Sequence, residues 1–257
     1  MNKAHTLVLT FSLLVSAGTS AAPLPAPITA LEKQGFELKG EFTAPGGLPG
    51  YAMQFQGQGT TVYLTPDKQH AIMGNMVDAN GRNLSDDVVE KFVYAPMAKK
   101  MWDALGSHRW IAVGEKEAPH IVYVFADPYC PYCTAFWEQA QPWITSGKVQ
   151  LRVLLVGMLR PDSGQKATGI LMSENPSKTL ADYENSKGKW VLSSPEKISP
   201  AIEEALKNNL ALMDELGGNV TPAIYYLNAD GRLQQHQGKP DEATLNTIMG
   251  EPQKSAD

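Results

Sequence analysis

Cysteine is scarce in this chain: two residues, Cys130 and Cys133, among 257. That excludes a framework of disulfides joining distant segments, and it excludes a metal site built on two cysteine pairs. Histidine is scarce as well. Of five, His5 sits near the start, and His70, His108, His120 and His236 lack the close-pair spacing of zinc ligands. No metal and no other cofactor is expected. A basic excess is missing: 22 Lys and Arg stand against 27 Asp and Glu. With no basic stripe interleaved with aromatics, nucleic acid is not an expected partner. Past the N-terminus, no run is apolar enough to span a membrane.

The N-terminus itself is distinctive. MNKAH is followed by the short apolar run TLVLTFSLLVSAG and then by TSAAPLPAP. A basic start, a short apolar core and small residues read as a secretory signal peptide over residues 1–21. The run is shorter than the roughly 20 residues of a spanning helix, which argues against an uncleaved anchor. Cleavage is expected after Ala21, because a cut after Ala22 would place Pro23 just beyond the scissile bond. The mature chain, about 236 residues, is expected to be exported and soluble, with two domains.

PAPITALEKQG predicts a short helix with Ile28, Leu31 and Ala30 inward and Gly35 at its C-terminal cap. The period then changes to two. In GYAMQFQ, Tyr51, Met53 and Phe55 share one face; TTVYLT and HAIMGNMV also read as strands, with turn signals in LTPDKQH and DANGR. Residues 22–84 are therefore expected to form a small α+β domain, a curved antiparallel sheet with one helix. Its core is small for an independent monomer, so pairing with a second copy would help it. Residues 85–107 read as a helical linker, with Ser85 as N-cap, Asp86 and Asp87 in the first turn, and a break or kink at Pro96. From 108 to 257 the pattern is α/β. HIVYVFA (120–126) and VQLRVLLVGM (149–158) read as buried strands, with the cysteines and the helix TAFWEQAQPW between them. Residues 162–217 read as mostly helical, with breaks at Pro176, Gly188 and Pro195; AIYYL, RLQQHQ and DEATLNTIM add a hairpin and a last helix.

The cysteines lie in FADPYCPYCTAFW. Pro131 falls at the first helical position, which puts Cys130 at a helix N-terminus, where unpaired N–H groups and the helix dipole favour thiolate. Cys133 is one turn on and more buried by expectation. A bridge between the two closes a loop too small to constrain the unfolded chain, so a structural staple explains it poorly. A cysteine protease would not need the second cysteine. What remains is a dithiol/disulfide exchange centre. Further on, GGNVTPAIYYL places Pro222 directly before a strand; on the residues alone, the ordinary trans bond is the expectation.

A buried strand running into CPYC, with a later VTPAIYY, resembles the thioredoxin superfamily. With the signal peptide, the β-rich N-terminal unit, the helical linker and the stretches YVFADP, SGKVQLR, LLVG and IMG, the chain is similar to the periplasmic disulfide isomerases of the DsbC/DsbG family, on its DsbG side. The resemblance implies a cystatin-like N-terminal domain that joins a V-shaped homodimer, and a thioredoxin-like catalytic domain with a helical insertion. It implies that Cys130 is an exposed attacking thiol and Cys133 the resolving one, forming a redox-active Cys130–Cys133 disulfide tuned by Pro131 and Tyr132. Thr221 and a cis Pro222 would face the client, reversing the trans expectation. Clients would be exported proteins with wrong disulfides or oxidised cysteines, a DsbD-type membrane reductase would restore the dithiol, and surface between the arms would give chaperone activity. Met53, Met73, Met76, Met97 and Met101 are candidates for that surface or for the core. Two features depart from relatives. Thioredoxin has a buried acid six residues before its first cysteine, where this chain has Val124, which leaves the proton acceptor of Cys133 open. DsbC-type proteins carry a second cysteine pair, absent here. A DsbA-like dithiol oxidase and a chaperone or binding module with an idle cysteine pair are the alternatives.

Overall fold

The computed structural model describes residues 23–190 and 199–251; the signal-peptide reading and the break at Pro195 lie outside them. The chain forms two compact units that divide between Val89 and Glu90.

In the first unit, helix α1 (Ala26–Lys33) begins with Pro27, whose fixed φ and missing N–H suit a first turn. It ends where Gly35, at φ +95°, lets the chain reverse. Strands β1 (Glu37–Thr43), β2 (Pro49–Phe55), β3 (Gln58–Leu64) and β4 (Ala71–Met73) form an antiparallel meander in that order. Ile28 of α1 packs with Tyr51, Met53, Val62 and Leu64 in one small core. Ala30, expected inward, is exposed. Phe55 also leaves the core face and stacks on Phe36 at 4.7 Å. Strand β1 has a weak sequence signal, because ELKGEFT offers only Leu38 and Phe42 as apolar alternation. Phe42 lies across from Gly50, where a Cβ would sit 2.4 Å from its ring, so a larger residue there would have to push the ring aside. Met53 is fully buried, whereas Met73 and Met97 are exposed. Strand β4 is an edge carrying the exposed Ile72.

Helix α2 (Ser85–Val89) closes the first unit. Ser85 is fully buried, and its side chain does not cap the helix. Its Oγ accepts the Met76 N–H at 2.9 Å and the Thr61 hydroxyl at 3.0 Å, and bonds the Tyr63 hydroxyl at 2.7 Å. The residue that reads as a cap from sequence is a buried polar knot, chosen by the strands packed on it.

The second unit opens with a π-turn over Glu90–Tyr94 and helix α3 (Ala95–Ser107). Pro96 lacks an N–H, and the wide turn before it absorbs the missing bond, so the helix is re-phased, not ended. A five-stranded sheet follows in the order β5-β7-β6-β8-β9: β5 (Ile111–Val113), β6 (His120–Ala126), β7 (Val149–Leu155), β8 (Ala223–Leu227) and β9 (Leu233–Gln237). The β6–β7 pair is parallel, joined by helix α4 (Pro131–Thr145), and the others are antiparallel. Helices α5 (Ser163–Leu171), α6 (Pro176–Asn185), α7 (Pro200–Glu215) and α8 (Glu242–Ile248) complete the unit. Alternation along β6 sends Val122, Val124 and Ala126 to one core, with α4 and α6, and Tyr123 and Phe125 to another, with α3 and α7. A strand covered on both faces is why HIVYVFA reads as continuously apolar. Among the described residues, no helix is long and apolar enough to cross a membrane.

Candidate active site

After β6 the chain turns through Asp127, Pro128 and Tyr129 into α4. Cys130 is the N-cap residue, with extended φ −84° and ψ 108°, and Pro131 follows in the first turn. That geometry turns the free N–H groups of the first turn toward the Cys130 side chain. Its Sγ accepts the Cys133 N–H at 3.1 Å, and its thiol donates to the Thr221 carbonyl oxygen at 3.2 Å. Both cysteines are free thiols.

The two sulfurs are driven apart in acidity. The Cys130 thiol is brought down to about 6, first by the hydrogen bond that the Cys133 thiol can give its thiolate, then by Thr221 and the N–H groups of Cys133 and Tyr132, against the cost of burial. A group titrating there is roughly nine-tenths ionised at pH 7, against about 3% for an ordinary cysteine. Burial is the largest cause for Cys133 and, with the adjacent Cys130, holds its thiol well above the usual range. The surroundings favour the thiolate at Cys130 and the thiol at Cys133, a division set by environment.

The other sequence-derived residues gather here too. Phe125 of β6 pairs with Ala223 of β8, which sets the Thr221–Pro222 bond beside the end of β6 and next to Cys130. That bond is cis. The Thr221 hydroxyl is buried without a hydrogen-bond partner in the dithiol, and it favours the ionised form of either sulfur. Tyr132 is 62% exposed. The expectation of an exposed attacking thiol needs correction: Cys130 is 3% exposed and Cys133 4%. Thr221 and the first turn of α4 cover Sγ, so the sulfurs differ in how strongly burial opposes their charge, not in exposed area.

Three further residues lie against the cysteines or hold the turn that carries them. Asp127, 1% exposed, receives the Tyr129 N–H at 2.8 Å and the Ser163 hydroxyl at 3.0 Å on one oxygen, and the Met158 and Leu159 N–H groups at 2.8 and 3.0 Å on the other. The Tyr183 hydroxyl donates to the Pro128 carbonyl at 2.7 Å. On α6, Glu184 is 4% exposed and accepts the Thr134 hydroxyl at 2.6 Å. Asp127 could have been singled out as the residue that ends a buried strand; nothing in the sequence around Glu184 marks it as buried. Among the described residues, no group of three or more His, Cys, Asp or Glu side chains is placed to hold a metal ion.

Residues 108–251 match the family described as a thioredoxin-like domain, and residues 18–86 match the disulfide bond isomerase protein N-terminal domain. The catalytic domain of ScsC from Proteus mirabilis superposes with a TM-score of 0.51 at 22% identity, over 61% of this chain and 96% of that one, which speaks for the fold alone. Relatives cover nearly the whole length. The thiol:disulfide interchange protein DsbG of Escherichia coli is 51% identical over 237 residues, covering 92% of this chain and 96% of its own. DsbG of Pseudomonas aeruginosa is 47% identical over 239 residues, covering 92% and 93%. An ionised cysteine at a helix N-cap, a protonated partner one turn on and near-complete alignment with these relatives converge: the chain belongs to the DsbG family of thiol:disulfide interchange proteins, and its chemistry is thiol–disulfide exchange.

Proposed function

We propose that this protein works in the periplasm as a disulfide isomerase and reductase of exported proteins, with Cys130 as nucleophile and Cys133 as resolving thiol. The observation that carries the assignment is the split between the two sulfurs, with Cys130 titrating at about 6 and Cys133 held protonated. The Cys130 thiolate attacks one sulfur of a wrong client disulfide, forms a mixed disulfide and expels the other client sulfur as thiolate. That thiolate then attacks elsewhere and the client rearranges, releasing Cys130. Alternatively, Cys133 loses its proton and attacks Cys130 Sγ. The client then leaves reduced, and the pair is left as the Cys130–Cys133 disulfide. A client sulfenic acid enters at the same point: the thiolate displaces hydroxide, which leaves as water, and gives the same adduct.

Pro131 fixes the first turn and Tyr132 presents an exposed ring to the client. Thr221, beside the cis Pro222, offers an extended client backbone a place to pair, as in strand addition. The domain limits belong to the same reading: signal 1–21, dimerisation domain 22–84, linker 85–107, catalytic domain 108–257. The matched ranges 18–86 and 108–251 support it. The exposed edge strand β4, with Ile72 and Met73, supports a homodimer through the first unit. A DsbD-type membrane reductase would return the pair to the dithiol, and exposed apolar surface would hold unfolded clients.

The test is a Cys133→Ala variant exported from its own signal. Clients are expected to accumulate as mixed disulfides on Cys130, identifiable by mass spectrometry together with their oxidation states. A variant that traps nothing, or a wild-type pair found largely oxidised in cells, would point to the chaperone or the oxidase alternative. Sedimentation at micromolar concentration is expected to give a dimer; a monomer removes that part of the reading.

A further inference from the structure

Resolution requires Cys133 to lose a proton, and Cys133 is poorly disposed to do so. It is 4% exposed, and burial and the adjacent sulfur both hold the proton on. Solvent hydroxide reaches such a group slowly, so a base inside the protein is needed. The position where thioredoxin carries an acid is Val124, and Val124 lines a small cavity that Cys133 also lines. The same cavity is lined by both Cys133 and Glu184, together with Phe136, Trp137 and Leu180. It has about 20 Å³ of room for water centres, enough for one water.

We propose that Glu184, supplied by the inserted helix α6, is the proton acceptor of Cys133 in the resolving step, directly or through one water held in the cavity they share. The inference rests on the assignment of Cys130 and Cys133 as attacking and resolving thiols. Polar supply to the carboxylate is thin: Thr134 donates one hydrogen bond at 2.6 Å, and the rest of the cavity wall is apolar. The titratable groups that act on Glu184 are few. Cys133 of α4 shares its cavity, the charge of Cys130 at the α4 cap reaches it, and Tyr183 adjoins it on its own helix, while β6 and β7 present only apolar side chains such as Val124 and Val153. Burial lifts the carboxyl to about 7, Thr134 opposes that, and negative charge on Cys130 adds to it. An acceptor poised at that value exchanges a proton near neutral pH with little cost in either direction.

The step balances. The Cys133 thiol gives its proton to the Glu184 carboxylate, and the resulting thiolate attacks Cys130 Sγ. The Cys130–client bond breaks, the client leaves as thiolate, and the new Cys130–Cys133 bond holds the two electrons' worth of oxidation. When the pair is reduced again, protonated Glu184 returns the proton to the departing Cys133 sulfur. The coupling also has a reason to be self-timing. Once Cys130 is in an adduct it carries no charge, so the carboxyl is more readily ionised and ready to accept.

The test uses the full mature chain and glutathione disulfide as the probe. Reduced protein is mixed with excess probe and quenched in acid, and adduct and intramolecular disulfide are separated by mass. In Glu184→Gln, adduct formation at Cys130 should stay within about 2-fold of wild type, while resolution at pH 7 should fall by at least ~10-fold, the low end of what a positioned base contributes. The variant's resolution rate should then rise with hydroxide and lack the inflection that titration of Glu184 gives wild type. Equal resolution rates with an unchanged pH profile would overturn the inference. A second measurement needs no variant. With 13C-labelled glutamate carboxyls in wild-type protein, one resonance should titrate near 7 in the reduced form and lower after oxidation of the pair. Failure to find one overturns the inference as well. If wild-type adduct never resolves through Cys133, the assignment of the pair fails and takes this inference with it; if it resolves normally and Glu184→Gln does too, only the inference falls.

Discussion

Two buried carboxylates flank the first turn of α4, and they are built on opposite plans. Asp127, in the loop before Cys130, is met by four donors, three of them backbone or hydroxyl groups from other segments: the Met158 and Leu159 N–H groups and the Ser163 hydroxyl, with the Tyr129 N–H completing the set. Glu184, below Cys133, is met by one hydroxyl and an apolar cavity. Four donors replace the water that burial removed, and they tie β6, the loop after β7 and the start of α5 into one frame. One donor does not replace it, and the carboxyl keeps its proton up to about 7. The same functional group is thus a structural tie on one side of the cysteines and a titrating group on the other. The surroundings alone decide which.

The comparison breaks first at Asp127. Asp127→Ala would take the acceptor from four donors, and each group so orphaned away from water costs about 1–3 kcal/mol. A loss of more than about 4 kcal/mol is expected, read as a fall in the urea midpoint, together with loss of the Cys130 thiolate signal as the loop loosens. A near-wild-type midpoint would mean that the frame is held elsewhere.

Glu184 should behave in the opposite sense. Its folded value of about 7 lies above the 4.5 of an ordinary glutamate, so the folded state holds a proton that the unfolded chain has released. Stability from this group is complete below about pH 4.5 and declines as pH rises through 7, by roughly 3 kcal/mol at about 1.4 kcal/mol per unit. Urea midpoints of reduced wild type should fall over that window, and Glu184→Gln should flatten the fall. A Glu184→Gln profile as steep as wild type would assign the slope to another group.

Much of the second unit was legible because its central strands are covered on both faces. HIVYVFA and AIYYL form strands over the residues read, since an apolar run bounded by turns leaves little choice. Strands β1 and β5 were not legible: ELKGEFT has few apolar residues, and Ile111–Val113 is three residues long, held by its pairing with β7. Cys130 at a helix N-cap was legible from Pro131 alone, because proline's preference is local. Glu184 was not, since only the tertiary packing of α6 on α4 decides that a glutamate in PSKTLADYEN points inward. The same holds for Ser85, where a sequence that suits a cap is overridden by three buried hydrogen bonds.

Thr221 tests the nucleophile's side of the pair with a smaller effect. Its hydroxyl favours the Cys130 thiolate, and Thr221→Val should move the thiolate titration upward from about 6 by less than about one unit, or ~1.4 kcal/mol. The sign carries a consequence for redox stability. Because folding depresses Cys130 from 9.0 to about 6, it stabilises the reduced protein fully above pH 9, and that stabilisation is lost as pH falls through 6. Reduced-minus-oxidised stability should therefore rise between those limits, less so in Thr221→Val. Ultraviolet thiolate absorbance and urea midpoints of both redox forms measure the two effects.

The two carboxylates are separated most cleanly by removing the same group from each. Thr134→Val deletes the single donor to Glu184; Ser163→Ala deletes one of four donors to Asp127. A hydrogen bond to a charged group is worth about 1.5–3 kcal/mol where nothing substitutes for it. Losing it from Glu184 should raise that carboxyl by about one unit, leave less carboxylate at pH 7 and slow resolution of the glutathione adduct several-fold, with recovery at higher pH. Losing it from Asp127 leaves three donors in place, so Ser163→Ala should lower stability modestly and leave the resolution rate and its pH profile unchanged. If both hydroxyl deletions move the profile alike, the two carboxylates are parts of one network and the contrast between tie and proton acceptor does not hold.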